Sequence, residues 1–133
     1  MDLEKYNNFV GKVTSKESTE YNTFINRVEE LNKLELANIP LLITAVAGLT
    51  AEAGEFAELP KKILFQGKPL DDASIYHMKR ELGDVIFYWI NACRALNVSP
   101  DEIIKMNVEK LTERYPDGKF DAFFSENRKT GDI

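Results

Sequence analysis

Apolar residues recur every three or four positions along most of the 133-residue chain, and this spacing constrains the fold more than any other feature. Phe24, Val28 and Leu31 illustrate it. Residues spaced in this way lie on one face of an α-helix, whereas a half-buried strand needs strict alternation, which is nearly absent here. The pattern therefore predicts an all-α protein.

Start and stop signals divide the chain into four main predicted helices. Ser99 followed by Pro100 and an acidic first turn indicates a helix start with a capping box, and Asp71 or Asp72 can cap the preceding helix. Gly67 is typical of a helix end. The predicted helices cover about residues 19–34, 40–65, 72–96 and 100–115, with a weakly marked helix at about 3–10.

One proline falls inside the second predicted helix. Pro60 has no backbone N–H and its ring crowds the preceding turn, so we expect a kink or a restart just after Glu58.

The short loops between the four helices predict an antiparallel four-helix bundle in a single domain, residues 1–133. Its core is expected at about residues 19–120, and a polar tail at 125–133. The third helix is apolar nearly all round between Val85 and Cys93, which a small monomer cannot cover. We therefore expect a homodimer or a homotetramer, with Cys93 as a small core residue.

Charge and the N-terminal sequence bear on partners and location. The chain has 17 Lys and Arg against 22 Asp and Glu, a formal charge of −5, which argues against nucleic acid or an acidic membrane as the main partner. The first residues lack the charge and apolar core of a signal peptide, and no long apolar stretch is free of polar breaks. A cytoplasmic protein is expected.

Two acidic pairs flank apolar stripes of neighbouring predicted helices. Glu52 and Glu55 are three residues apart, as are Glu81 and Asp84, so each pair shares a helix face. If the helices are antiparallel neighbours, the four carboxylates converge, and each like-charge contact at about 4 Å costs roughly 4 kcal/mol at an effective dielectric of 20. A hard divalent cation such as Mg²⁺ or Mn²⁺ would relieve this. Pattern alone leaves a solvated acidic face equally open.

A di-iron carboxylate bundle is disfavoured. Such bundles use Glu-x-x-His on two helices, and the single histidine, His77, has Ser74 three residues before it. We interpret His77 as a helix-surface residue.

The acidic pairs carry a resemblance to a known family. Residues 49–55 and 81–85 resemble the ExxE–ExxD signature of MazG-like all-α nucleoside triphosphate pyrophosphohydrolases, and residues 107–116 look like the closing helix of that family. The resemblance spans about residues 42–120. The first 35 residues match nothing in it.

This resemblance implies hydrolysis between the α- and β-phosphates of a nucleoside triphosphate, releasing a monophosphate and pyrophosphate. By motif position, Glu52, Glu55, Glu81 and Asp84 would hold Mg²⁺, with Mn²⁺ as a substitute. One carboxylate would instead orient the attacking water, and we favour Glu55.

The resemblance also suggests substrate contacts. Asn107 and Lys110 would face the triphosphate, Arg114 could join them, and Tyr88 could meet the base or the sugar. Lys110 and Arg114 equally suit the C-terminal half of a helix, where cations interact favourably with the helix dipole. Tyr88 is equally compatible with the core.

Three functional hypotheses remain at this point. The leading one is a Mg²⁺-dependent NTP or dNTP pyrophosphohydrolase that cleans or balances nucleotide pools. The second is a narrower relative, such as a dCTP or dUTP hydrolase or a phosphoribosyl-ATP pyrophosphatase. The third is a non-catalytic helical oligomerisation module.

Overall fold

The computed structural model describes residues 2–127, and these form helices joined by short connections, with no strand among them. The all-α prediction is confirmed. The helices are α1 (Leu3–Val13), α2 (Lys16–Thr19), α3 (Tyr21–Lys33), α4 (Ile39–Gln66), α5 (Asp72–Ala95), α6 (Pro100–Arg114) and α7 (Ala122–Glu126). Within the predicted tail, residues 128–133 lie outside the described range.

The capping signals place the helix ends where the sequence predicts them. Ser99 Oγ accepts a hydrogen bond from the N–H of Glu102 at 3.1 Å, and Asp71, rather than Asp72, caps α5 by accepting from Ser74 N at 2.8 Å. This bond is the largest cause lowering the pKa of Asp71. Gly67 ends α4 in the left-handed conformation, with φ of 71°.

Pro60 does not divide α4. A single helix runs from Ile39 to Gln66, so the expected restart after Glu58 is wrong. The missing N–H removes one backbone hydrogen bond, but Leu59 is buried at 6% exposure beside it. The loss of one backbone hydrogen bond therefore does not end the helix.

The long helices α4 and α5 form an antiparallel pair, and this pair is the centre of the molecule. Residue 48 lies opposite residue 88, and residue 55 opposite residue 81. At the open end of the pair, Asn38 N donates to Ala95 O at 2.7 Å. Helices α3 and α6 contact this pair at only a few positions, so the predicted four-helix bundle stays unconfirmed within one chain.

Few residues of the described chain are buried, and the buried set mixes small apolar residues, one leucine and polar residues. The buried apolar residues of the described chain are Ala45, Leu59, Cys93 and Ala95, and the buried polar ones are Ser74, Glu81 and Asn91. Burial of Cys93 agrees with its interpretation as a core residue. By contrast, large apolar residues of both helices are exposed, among them Ile43, Val46, Ile86 and Phe87.

Helix α4 is long and apolar enough to cross a membrane by length and composition alone, and 6% of its most apolar window is buried. Long helices of water-soluble proteins pass the same test, so this property does not identify a membrane segment.

Candidate metal centre

The α4–α5 pair brings three carboxylates together. Glu52 and Glu55 share a face of α4, Glu81 comes from the opposing turn of α5, and one ligand oxygen from each lies within 4.8 Å of the others. The spacing of three on α4 and the antiparallel arrangement produce this convergence. We call these three residues the carboxylate group.

Burial differs across the carboxylate group. Glu81 is buried at 7% exposure, Glu52 is half-buried and Glu55 is exposed. Desolvation raises the pKa of Glu52, and the neighbouring charges of Glu55, Asp84 and Glu81 raise it further. The concentrated negative charge therefore disfavours ionisation of Glu52 in the absence of a cation.

Asp84 stands slightly apart from the carboxylate group. It is exposed and does not belong to the set whose ligand atoms lie within 4.8 Å of one another. Its charge nevertheless acts on Glu52. Its role as a fourth metal ligand stays a prediction.

His77 touches the carboxylate group. Its Nε2 lies 2.9 Å from Oε1 of Glu81, one turn along α5, while its side chain is 57% exposed. Its position on the helix surface agrees with the interpretation from sequence, but this contact was missed. The signal was available, because residues four apart on a helix are neighbours.

Tyr88 lies over the backbone of α4, next to the carboxylate group. A Cβ added at Gly48 would overlap the Tyr88 ring, so only glycine permits this approach. Gly48 is one turn before Glu52, and Tyr88 is one turn after Asp84. The ring is half-buried and thus combines a packing role with proximity to the site. Gly48 was not singled out from the sequence, because the sequence does not reveal which side chain packs against a glycine within a helix.

The predicted phosphate-binding residues of α6 are less closely tied to this centre. Asn107 and Lys110 are exposed, Arg114 is half-buried, and α6 contacts α5 at few positions. Their contact with substrate stays a prediction. Lys61 and Lys62, which follow Pro60 on α4, instead pair with Glu58, at 3.9 and 3.1 Å.

Residues 42–119 match the family model described as the MazG nucleotide pyrophosphohydrolase domain, which is more than half of the chain. The chain belongs to the MazG family. No curated protein and no solved structure matches it. The MazG match contains the whole carboxylate group, Asp84 and α6, and it leaves α1–α3 outside. The family identifies the chain as a nucleotide pyrophosphohydrolase domain in general terms.

The carboxylate group suits the metal on which MazG proteins generally depend, which is magnesium. All its donors are carboxylate oxygens, the ligands that hard divalent cations prefer. One ligand is buried and one is exposed, so a cation held here would be anchored in the seam between α4 and α5 and remain accessible to a phosphate from solvent.

Proposed function

We propose that the chain is a Mg²⁺-dependent nucleoside triphosphate pyrophosphohydrolase that converts an NTP or dNTP and water to the monophosphate and pyrophosphate. The observation that carries this proposal is the convergence of Glu52, Glu55 and Glu81 within the MazG match. Nucleotide-pool housecleaning in the cytoplasm is the setting we propose.

The burial of each carboxylate suggests its role in the proposed reaction. Buried Glu81 and half-buried Glu52 would hold Mg²⁺, with Asp84 completing the set. Bound there, Mg²⁺ supplies Lewis-acid stabilisation of phosphate charge and a water of lowered pKa. Glu55, the exposed member, would orient the attacking water, because its side chain is accessible to solvent. Asn107, Lys110 and Arg114 would contact the triphosphate.

We also propose that the active species is a homodimer or homotetramer. The chain exposes 10898 Å², whereas a compact monomer of 15.2 kDa exposes about 7,100 Å². The excess, roughly 3,800 Å², is more than one subunit of an obligate dimer usually buries. Its apolar part includes Ile43 and Val46 on α4 and Ile86 on α5.

We propose a second copy, rather than a lipid bilayer, as the cover for these surfaces. Glu52, Glu55 and Glu58 all lie within α4, and a carboxylate near the centre of a membrane-spanning helix costs about 2.5–3.5 kcal/mol. A second chain can cover the outer apolar surface while the carboxylates stay between α4 and α5. The net charge of −5 also argues against nucleic acid as the main partner.

Product analysis with a panel of NTPs and dNTPs in Mg²⁺ tests the reaction. We expect monophosphate plus pyrophosphate, measured by ³¹P NMR. Hydrolysis in H₂¹⁸O should place the label in the monophosphate if water attacks the α-phosphorus, and in pyrophosphate if it attacks the β-phosphorus. Release of diphosphate and orthophosphate as first products would contradict the proposal. The panel also separates a broad enzyme from a dCTP, dUTP or phosphoribosyl-ATP hydrolase.

A further inference from the structure

Helix α1 carries an apolar stripe that the rest of the described chain leaves uncovered. Tyr6, Phe9, Val10 and Val13 follow the spacing i, i+3, i+4 and i+7, which places them on one face of the helix. Their exposed fractions lie between 40% and 64%. Within residues 2–127, α1 packs extensively against none of the other helices. We call these four residues the α1 stripe.

An apolar groove of about 650 Å³ lies between α3 and the start of α4, open to solvent. Its lining includes Phe24, Val28, Leu31, Leu42 and Ile43. No residue of α1 lines it, so α1 does not fill the groove of its own chain. Grooves of this kind bind amphipathic helices through anchors at the spacing of the α1 stripe. We call it the α3–α4 groove.

The connection from α1 to α2 is short and well ordered. It consists of Thr14 and Ser15, whose backbones are extended, with ψ of 132° and 156°. Thr14 Oγ1 donates to Val10 O at 2.7 Å, and Thr19 Oγ1 donates to Ser15 O at 3.1 Å, so hydrogen bonds tie the connection to both helices. A short connection that keeps a helix off its own chain favours exchange of that helix between identical copies.

We propose that α1 docks in the α3–α4 groove of a second copy of the chain. In a two-fold dimer each copy supplies one stripe and one groove, so the same contact occurs twice. The inference rests on the second copy of the proposed function, and it gives a role to α1–α3, which lie outside the MazG match.

The charges on the two surfaces are complementary. Helical spacing places Lys5 and Lys12 along the Phe9 edge of the α1 stripe, and neither forms an ion pair within residues 2–127. Glu17 and Glu20 line the α3–α4 groove. Exposed pairs of this kind add little affinity, but they set the orientation in which the helix enters.

An anionic lipid surface is the other partner that an amphipathic helix suits. Helices that lie on membranes are rich in Lys and Arg along the polar face, whereas α1 has two lysines and one glutamate. The matching apolar groove and its acidic residues favour the second copy instead.

Photo-cross-linking in the full-length protein tests the contact. p-Benzoylphenylalanine replaces Phe9, which keeps an aromatic ring in the stripe, and in the matched control it replaces Asn8 on the polar face of α1. We expect irradiation of the Phe9 variant to give a product of twice the chain mass on a denaturing gel, cross-linked within residues 17–43. The Asn8 control should give little of it.

A change in the groove provides the second arm. Phe24→Ser should raise the protein concentration needed for half-maximal cross-linking by about tenfold or more, because the groove loses a large apolar contact. Asn26→Ser is the matched control, since Asn26 is exposed on α3 and does not line the groove. Far-UV circular dichroism establishes that both variants remain helical.

Four results would overturn the inference: a cross-link to the groove within one chain, a dimer cross-linked only outside residues 17–43, equal yields from Phe9 and Asn8, or no effect of Phe24→Ser. Binding of α1 to phosphatidylserine vesicles without a groove cross-link would assign the stripe to lipid. If light scattering still showed a dimer, the proposed assembly would stand without this contact. A monomer at micromolar concentration would contradict both, and pyrophosphate release is scored separately.

Discussion

The buried and the exposed residues of the α4–α5 pair differ from those of an ordinary globular core, because polar side chains are buried while large apolar ones are exposed. The inner seam buries Ser74, Glu81 and Asn91, while the outer sides expose Ile86 and Phe87, each at 59%. Apolar surface normally leaves water and carboxylates normally stay in it. Here three polar residues are buried beside Ala45, Leu59, Cys93 and Ala95, and large apolar residues stay exposed.

This contrast between buried polar and exposed apolar residues suggests two roles for the same pair of helices. The seam keeps carboxylates close despite their repulsion, which is useful only if a cation or substrate compensates for it. The outer sides keep apolar surface that one chain leaves exposed, and the proposed second copy would cover it. Under the proposed function, the seam would serve the chemistry and the outer sides the assembly.

The largest expected effect comes from removing the charge of a carboxylate between α4 and α5. Glu81→Gln and Glu52→Gln should each lower turnover more than about 100-fold, since even outer-shell partners of a metal cost 10- to 100-fold. Glu58→Gln is the matched control, because Glu58 lies on α4 and pairs with Lys62 outside the carboxylate group. Steady-state pyrophosphate release measures all three. Near-normal activity of both seam variants would remove the metal site.

Asp84→Asn tests whether Asp84 is a fourth ligand of the proposed metal. Asp84 lies outside the carboxylate group but its charge reaches Glu52. A loss of turnover as large as in Glu81→Gln would make it a fourth ligand. A loss below about tenfold would leave three carboxylates as the metal site, with Asp84 acting only through its charge.

The second prediction concerns the outer side. Ile86→Glu should weaken self-association, because burying an isoleucine contributes about 1.5–3 kcal/mol and a two-fold interface contains the position twice. A loss of about 3 kcal/mol or more corresponds to roughly 100-fold in dimer Kd. Light scattering over a concentration series measures the change. Leu70→Glu, exposed in the connection between α4 and α5, is the control. A fully active wild-type monomer at micromolar concentration would contradict the assembly proposal.

Sequence alone predicts the elements governed by local rules. The caps at Asp71 and Ser99 and the stop at Gly67 each depend on one residue and its own helix end, and all three are confirmed. The restart expected at Pro60 does not occur, because one missing backbone hydrogen bond does not end this helix. The short helix α2 and the tail helix α7 were missed, since four or five residues carry almost no periodicity.

The candidate site was predictable only in part for a related reason. Helical spacing places Glu52 with Glu55, but only the antiparallel register brings Glu81 to them, and register depends on packing between helices. The same register leaves Asp84 outside the carboxylate group and sets Tyr88 against Gly48. The contact from His77 to Glu81 lay within one helix and could have been read from spacing.

The third prediction tests how closely the seam must pack. Gly48→Ala should displace the Tyr88 ring, because the added Cβ would overlap it. Overpacking costs about 1–3 kcal/mol, against a gain of about 0.5–1 kcal/mol for alanine in a helix. Gly54→Ala, on the same helix with nothing near its Cβ, should show only the gain. Chemical denaturation measures both. A raised KM for Gly48→Ala alone would support Tyr88 as a substrate contact, and equal stabilisation of both variants would contradict close packing at Gly48.

The smallest expected effect compares two glutamates of α4 that the structure places in opposite environments. Desolvation and neighbouring carboxylates raise the pKa of Glu52, whereas the hydrogen bond and charge of Lys62 lower that of Glu58. A raised folded-state pKa favours folding at low pH, and this contribution is lost as pH rises from the unfolded value, about 4.3, through the folded one. A lowered pKa acts in reverse, so its contribution is present above the unfolded value and lost as pH falls.

In metal-free protein, Glu52→Gln should therefore gain stability relative to wild type as pH rises from about 4.3 towards neutrality, while Glu58→Gln should lose it. Denaturant unfolding in EDTA at several pH values measures both differences, and groups common to the three proteins cancel. Excess Mg²⁺ should reverse the sign for Glu52→Gln alone, because a cation binds only the ionised carboxylate and stabilises the folded state that holds it. Parallel pH profiles for the two variants would contradict the contrast between the seam and the surface of α4. A reversal that Mg²⁺ also produced in Glu58→Gln would show a general effect of ionic strength rather than binding in the seam.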